Sequence, residues 1–145
     1  MISCPACTML MKETYVKNIH LDVCLEGCGG IWFDQHELSH FDEKHEDDEG
    51  MFLSLEPSHK EDHDILKGKR TCPRCEETVV MLRHYASFKK EIEIDECGLC
   101  GGIFLDGAEL SMIRNQFETA EEKEYAVKNY IEKMFLYMKE NSHYF

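Results

Sequence analysis

A chain of 145 residues with 29 acidic against 16 basic side chains, a formal charge of −13, is poorly suited to nonspecific nucleic-acid binding or to anionic membrane surfaces, because both need clustered Lys and Arg. Its 43% hydrophobic content excludes wholesale disorder, and no stretch approaches the roughly 20 apolar residues that span a bilayer. Eight cysteines and no visible secretory signal lead us to expect a reducing, cytoplasmic setting, where spaced thiols bind metal more often than they pair as disulfides.

The chain opens on a cysteine turn, Cys4-Pro5-Ala6-Cys7, followed by a strand in which Ile19, Leu21 and Val23 alternate with polar residues. A second turn runs from Cys24 to Cys28 and is followed by Gly29-Gly30, where the backbone needs a tight turn or close approach. Ile31, Trp32 and Phe33 lead to Asp34, with Glu37 three residues on. That spacing predicts a helix start, Asp accepting from free N–H groups and Glu reaching back. Trp32 and Phe33 just before this cap, and Phe104 and Leu105 at the matching positions further on, are expected to fill a small core between hairpin and helix. An acidic run, Asp42 to Glu49, then begins a polar connector over 43–69, interrupted by the apolar segment Met51 to Leu55.

The same elements return. Cys72-Pro73-Arg74-Cys75 is followed by Ile92 and Ile94 in alternation, then Cys97-Gly98-Leu99-Cys100-Gly101-Gly102-Ile103-Phe104-Leu105-Asp106, with Glu109 three residues after the Asp. Leu110, Ile113 and Phe117 are spaced for one helix face. Thr119 and Glu122 predict a fresh helix start. From Glu121 to Glu140 there is no Gly or Pro, and Val127, Ile131, Met134 and Met138 form a stripe. Such a stripe packs on the protein's own modules or meets a partner or second copy.

The duplication is complete. Sixteen residues separate the cysteine turns in copy one and twenty-one in copy two, and all eight cysteines are used, four per copy. Two short cysteine turns joined by a hairpin supply the tetrahedral ligands that zinc prefers, and four thiolates leave no open position for catalysis. A module of about 45 residues buries too little apolar area to offset its conformational entropy, so the metal has to be structural.

Two other motifs point elsewhere. His36-Glu37-Leu38-Ser39-His40 matches the HExxH pattern of zinc proteases. Copy two keeps the Glu-Leu-Ser at 109–111 without the histidines, so Glu37 is explained as part of the cap, and adventitious metal binding by His36 and His40 is the residual reading. The CPAC and CPRC turns superficially match redox motifs, but each precedes a hairpin with a second cysteine pair to meet, whereas thioredoxin chemistry uses one pair at a helix start.

The Cys-Pro-x-Cys turn with the later run Cys-Gly-Gly-Ile-Trp/Phe-Phe/Leu-Asp-x-x-Glu-Leu resembles the TFIIB-type zinc-ribbon family of small bacterial proteins, over about residues 2–41 and 70–112. The resemblance implies that Cys4, Cys7, Cys24 and Cys28 bind one zinc ion, and Cys72, Cys75, Cys97 and Cys100 another. Copy one departs in having three residues between Cys24 and Cys28, where the pattern has two. Thr8 and Glu76 stand where ribbons often carry Gly.

The expected architecture is small α+β and metal-stabilised, two zinc ribbons of hairpin plus helix with a longer C-terminal α-helix. The divisions are 1–42 for the first ribbon, 43–69 for the connector, 70–118 for the second ribbon and 119–145 for the amphipathic helix. No catalytic residue is expected. The leading expectation is a structural zinc protein acting as an interaction or assembly adaptor, with a protein partner or self-association through the C-terminal helix. The alternative is a nucleic-acid-associated transcriptional regulator. Its basic patch would draw on Lys67, Lys69, Arg70 and Arg74, or on Arg83, His84, Lys89 and Lys90. A remoter one is a redox-switched protein that ejects zinc on oxidation.

Overall fold

The computed structural model describes residues 1–16, 19–35, 66, 68–85 and 92–141. Each copy contributes a three-stranded antiparallel unit: β1 (Lys12–Val16), β2 (Ile19–Val23) and β3 (Ile31–Phe33), then β4 (Leu82–Tyr85), β5 (Glu93–Glu96) and β6 (Ile103–Leu105). The two units form one six-stranded sheet in the order β1-β2-β3-β6-β5-β4. Two helices follow, α1 (Gly107–Arg114) and α2 (Ala120–Asn141).

The joint between the copies is an antiparallel pairing of β3 with β6, in the register Ile31 with Leu105, Trp32 with Phe104 and Phe33 with Ile103. Trp32 and Phe104 hold matching positions in the repeat and face each other, so a local pseudo-two-fold axis passes between them. This is the isologous arrangement of a symmetric dimer, built within one chain.

Central strands covered on both faces lose polar alternation, and β3 and β6 accordingly read Ile-Trp-Phe and Ile-Phe-Leu with every residue fully buried. One face carries Leu21, Val23, Ile31, Phe33, Ile94, Ile103 and Leu105 against Leu110 of α1 and Val127, Ile131 and Met134 of α2. The predicted α2 stripe is therefore spent on the protein's own sheet at those three positions. The other face carries Trp32 and Phe104, packed with the five buried cysteines Cys4, Cys7, Cys24, Cys72 and Cys97 and with Met11 and Met81. The sequence expectation that all four bulky residues before the caps lie between hairpin and helix holds only for Phe33 and Leu105. Trp32 and Phe104 point the opposite way, because successive strand residues alternate in direction.

The second glycine of each Gly-Gly pair is fixed by this crossing. A Cβ on Gly102 would sit 2.1 Å from Trp32 Cζ2, and one on Gly30 would sit 2.4 Å from Phe104 Cζ. Each aromatic ring thus lies on the glycine of the other copy. The first glycines, Gly29 and Gly101, have φ of 83° and 75°, the left-handed turn that lets each knuckle reverse.

The helix starts are only partly as predicted. Asp106 Oδ1 accepts from the Ala108 N–H at 2.8 Å, and Thr119 Oγ1 accepts from the Glu122 N–H at 3.1 Å. Glu109 meets a different donor, the Tyr130 hydroxyl of α2 at 2.5 Å, and so ties the two helices together. The helix α1 ends at Arg114, which leaves Phe117 beyond it, 37% exposed. The helix expected after Asp34 lies outside the described residues beyond Gln35, as do the acidic run and most of the connector.

Replacing Gly102 with Ala forces a methyl into the Trp32 ring, an overpacking that costs about 1–3 kcal/mol. Calorimetry should show a Tm lower by several degrees for Gly102→Ala, against near-neutral behaviour for Gly98→Ala, where nothing lies within 4 Å of the new methyl. Equal melting of the two variants would contradict the packing of Trp32 described here.

Candidate metal centres

Each cysteine cluster is assembled from two tight turns. In copy one, the Thr8 N–H donates to the Cys4 carbonyl at 2.9 Å and the Cys4 N–H to the Met9 carbonyl at 2.7 Å. The Gly29 N–H donates to the Cys24 carbonyl, and the Cys24 N–H to that of Gly30, both at 2.9 Å. Copy two repeats the scheme, with Cys72 donating to Val79, Cys97 to Gly102 and Gly101 to Cys97, at 2.8, 2.9 and 2.9 Å. The hairpins β1-β2 and β4-β5 then bring the two turns of each copy together.

The structure gathers Cys4, Cys7, Cys24 and Cys28 in one group and Cys72, Cys75, Cys97 and Cys100 in another, with the sulfurs of each group within 4.8 Å of one another. Close pairs are Cys4–Cys28 at 3.5 Å, Cys7–Cys24 at 3.4 Å, and Cys72–Cys100 and Cys75–Cys97 at 3.7 Å. A disulfide would need about 2.05 Å, and all eight cysteines are free thiols. A tetrahedron of Zn–S bonds about 2.3 Å long has edges of about 3.8 Å. The donor sets therefore fit two zinc ions, one per copy, each held by four thiolates with no position left open.

The electrostatics of the clusters suit a cation. Cys24 is pulled down to about 2 by hydrogen bonds from the Cys28 and Cys4 thiols. Its neighbours rise in exchange: Cys4 upward through its bond to Cys24, and Cys28 to about 12 for the same reason. In copy two burial pushes Cys75 to about 11 and Cys100 upward, while at Cys97 burial is outweighed by hydrogen bonds from the Cys100 and Leu99 backbone, leaving it near 7. Protons alone thus leave one low thiol in each cluster with reluctant neighbours. A divalent ion lets all four ionise together, and this is why metal binding at such sites is coupled to proton release.

The departures noted in the sequence have local solutions. The extra residue between Cys24 and Cys28 is absorbed at Gly27, where a Cβ would lie 2.5 Å from Cys24 Sγ and 2.7 Å from Cys7 Sγ. Thr8 takes the left-handed conformation, φ 68°, that a glycine would adopt without strain.

Sequence reasoning missed the ionic frame around the clusters. The repeat places an aspartate pair in each copy, Asp22 with Asp34 and Asp95 with Asp106, and each pair is clamped by one arginine. Arg74 donates to Asp22 at 2.7 Å and to Asp34 at 3.1 Å, bridging copy two to copy one. Arg70, 3% exposed, donates to Asp95 and to Asp106, both at 2.9 Å, with its guanidinium 5.5 Å from the centre of the Phe104 ring. Arg83 bonds Asp95 at 3.0 Å and the Gly68 carbonyl at 2.9 Å, and His84 meets Glu96 at 2.6 Å. The signal available in the sequence was the equal spacing of the aspartates from the cysteines. His36, Glu37 and His40, together with Lys67, Lys89 and Lys90, lie outside the described residues.

The family model described as transcription factor zinc-finger, the TFIIB-type zinc ribbon, matches residues 3–44 and again 71–116. These two stretches make up more than half of the chain, and the protein belongs to this zinc-ribbon family, in two tandem copies. No curated protein and no solved structure gave a significant match. Among the described residues no helix is long and apolar enough to cross a membrane.

Gly27 separates the two sites experimentally. Gly27→Ala pushes a methyl onto two ligand sulfurs of the first cluster only. Elemental analysis after dialysis against a moderate chelator should show close to one zinc per chain for the variant, against two for the parent. Equal retention of both ions would contradict the first ligand set.

Proposed function

We propose that the chain is a non-enzymatic, structural zinc-binding protein of the cytoplasm that serves as a protein-interaction or assembly adaptor. The observation that carries this reading is where its cations go. Of the residues the sequence suggested for a basic patch, Arg70, Arg74, Arg83 and His84 are each paired with carboxylates of the protein itself. Guanidinium groups held this way are poorly placed to neutralise phosphates, and the formal charge of −13 adds a repulsive field.

Apolar side chains stand out instead. Leu10 (61% exposed) and Val80 (49%) hold matching positions beside the first turn of each copy, in isolated bridges to Ser3 and Thr71. Leu99 projects from the last knuckle of copy two, and Tyr125 and Leu136 are exposed on α2, eleven residues and about three turns apart. Rigid knuckles bearing exposed aliphatic groups suit a protein surface better than a nucleic acid. Four thiolates around each ion favour a supporting role over chemistry at the metal.

The zinc-loaded chain and its Leu10→Glu, Val80→Glu double variant provide the test. Sedimentation and pull-down should show self-association or a bound protein with the parent and its loss in the variant, with no mobility shift of DNA or RNA at about 50 mM salt. Nucleic-acid binding that weakens steeply with added salt, and is indifferent to the double variant, would overturn this reading.

A further inference from the structure

The duplication provides an internal comparison away from the sulfur clusters. Asp22 and Asp95 hold matching positions, two residues before Cys24 and Cys97. Both are buried, at 1% and 3% exposure. In copy two each carboxylate oxygen of Asp95 has a cationic donor, Arg83 Nε to Oδ1 at 3.0 Å and Arg70 Nη1 to Oδ2 at 2.9 Å. In copy one Arg74 Nη2 donates to Asp22 Oδ2 at 2.7 Å, while Asp22 Oδ1 has no hydrogen-bond partner.

The strand register explains the difference. Arg83 stands opposite Asp95, and the matching residue of copy one, Glu13, stands opposite Asp22. Glu93 of copy two is replaced by His20. The position that supplies a cation in copy two therefore supplies a carboxylate in copy one. Like charges directly opposite across a strand pair repel, and a buried carboxylate oxygen without a donor is costly.

The missing positive charge has a place to sit. His20 Nε2 lies 3.8 Å from Glu13 Oε1 and 4.0 Å from Asp22 Oδ1. These separations are too long for hydrogen bonds, and the three donor atoms lie within 4.8 Å of one another, close enough to share an ion. Asp34 Oδ2 is 3.9 Å from the other ring nitrogen of His20. Arg74 bonds Asp22 and Asp34, and Glu13 adds a third carboxylate beside His20. The Glu13 and His20 side chains are 51% and 17% exposed, so the gap is reachable from solvent.

We propose that Glu13, His20 and Asp22 bind a divalent first-row metal ion where copy two uses the guanidinium of Arg83. One imidazole and two carboxylates, without sulfur, form a harder site than the four-thiolate clusters, suited to Mn²⁺ or Zn²⁺ with water in the remaining positions. The ion would cross-link β1 to β2 beside the first zinc ribbon. It would exchange readily where the thiolate-bound ions do not.

Mn²⁺ is the probe, added to the zinc-loaded full-length protein and followed by electron paramagnetic resonance of the free ion, because four thiolates hold zinc against it. One saturable Mn²⁺ per chain is expected. Its affinity should fall by more than about tenfold in Glu13→Gln and in His20→Gln. Binding should be abolished in Glu13→Arg, which installs the solution of copy two. The zinc content should stay at two in every variant. The single tryptophan gives a second readout, since its indole donates to Asp34 at 2.9 Å. Bound Mn²⁺ should quench Trp32 fluorescence in the parent and not in Glu13→Arg. Circular dichroism of the zinc-loaded variants reports their folding, and if Glu13→Arg does not fold, the Gln variants decide. An absence of saturable binding, or binding that all the variants keep as scattered surface acids would give, overturns the proposal.

Discussion

Four thiolates confined within 4.8 Å of one another cannot all ionise without a cation, and the rest of this structure is arranged around that constraint. The ligands come from turns that precede the first strand and follow the second strand of each short hairpin, at its open end. Holding them together therefore fixes the register of β1 with β2 and of β4 with β5. The ion supplies what the modules lack in buried area, as is usual for domains of this size. The strands are short, and β3 and β6 have three residues each. Neither hairpin would be more than marginal alone in water.

Zinc alone does not make the observed sheet. The copies are joined by strands whose residues pair with their own repeats, and the joint works because each aromatic ring lies on the other copy's glycine. The result is a two-fold interface with core-like packing, finished on one side by helices and on the other by the metal-bearing knuckles. The ionic frame departs from this symmetry. Both arginines that clamp the aspartate pairs come from copy two, Arg70 within its own copy and Arg74 across to the first. A first ribbon without its partner would leave Asp22 buried without that arginine and its inner strand edge uncovered. The two copies are thus one folding unit by packing and by charge, although their ligand sets are separate.

Much of the site was legible in the sequence because ligand chemistry is local. Cysteine spacing alone gives the two groups of four, and the cap residues Asp106 and Thr119 act where their spacing placed them. The stripe on α2 was also legible as a buried face at Val127, Ile131 and Met134, though what it packs against was not. The remainder depends on contacts between residues far apart in the chain. Nothing in either repeat states that β3 will pair with β6, so the side to which Trp32 and Phe104 turn could not be read. Arg70 and Arg74 looked like a basic patch because a one-dimensional pattern shows cations and not their partners. Asp22 lies 52 positions from Arg74, and only the fold brings them together. Glu109 was read as a cap partner because its spacing fits, yet a tyrosine on the next helix offers a donor that the local pattern does not contain.

If sulfur-bound zinc is the source of folding energy and the copies share one sheet, then stripping the metal has a defined consequence. The decisive measurement is a chelator titration of the full chain followed by amide chemical-shift dispersion, with zinc content measured on the same samples. The account predicts that dispersion from both copies is lost once both ions have left. Retained dispersion in fully metal-free protein would contradict it.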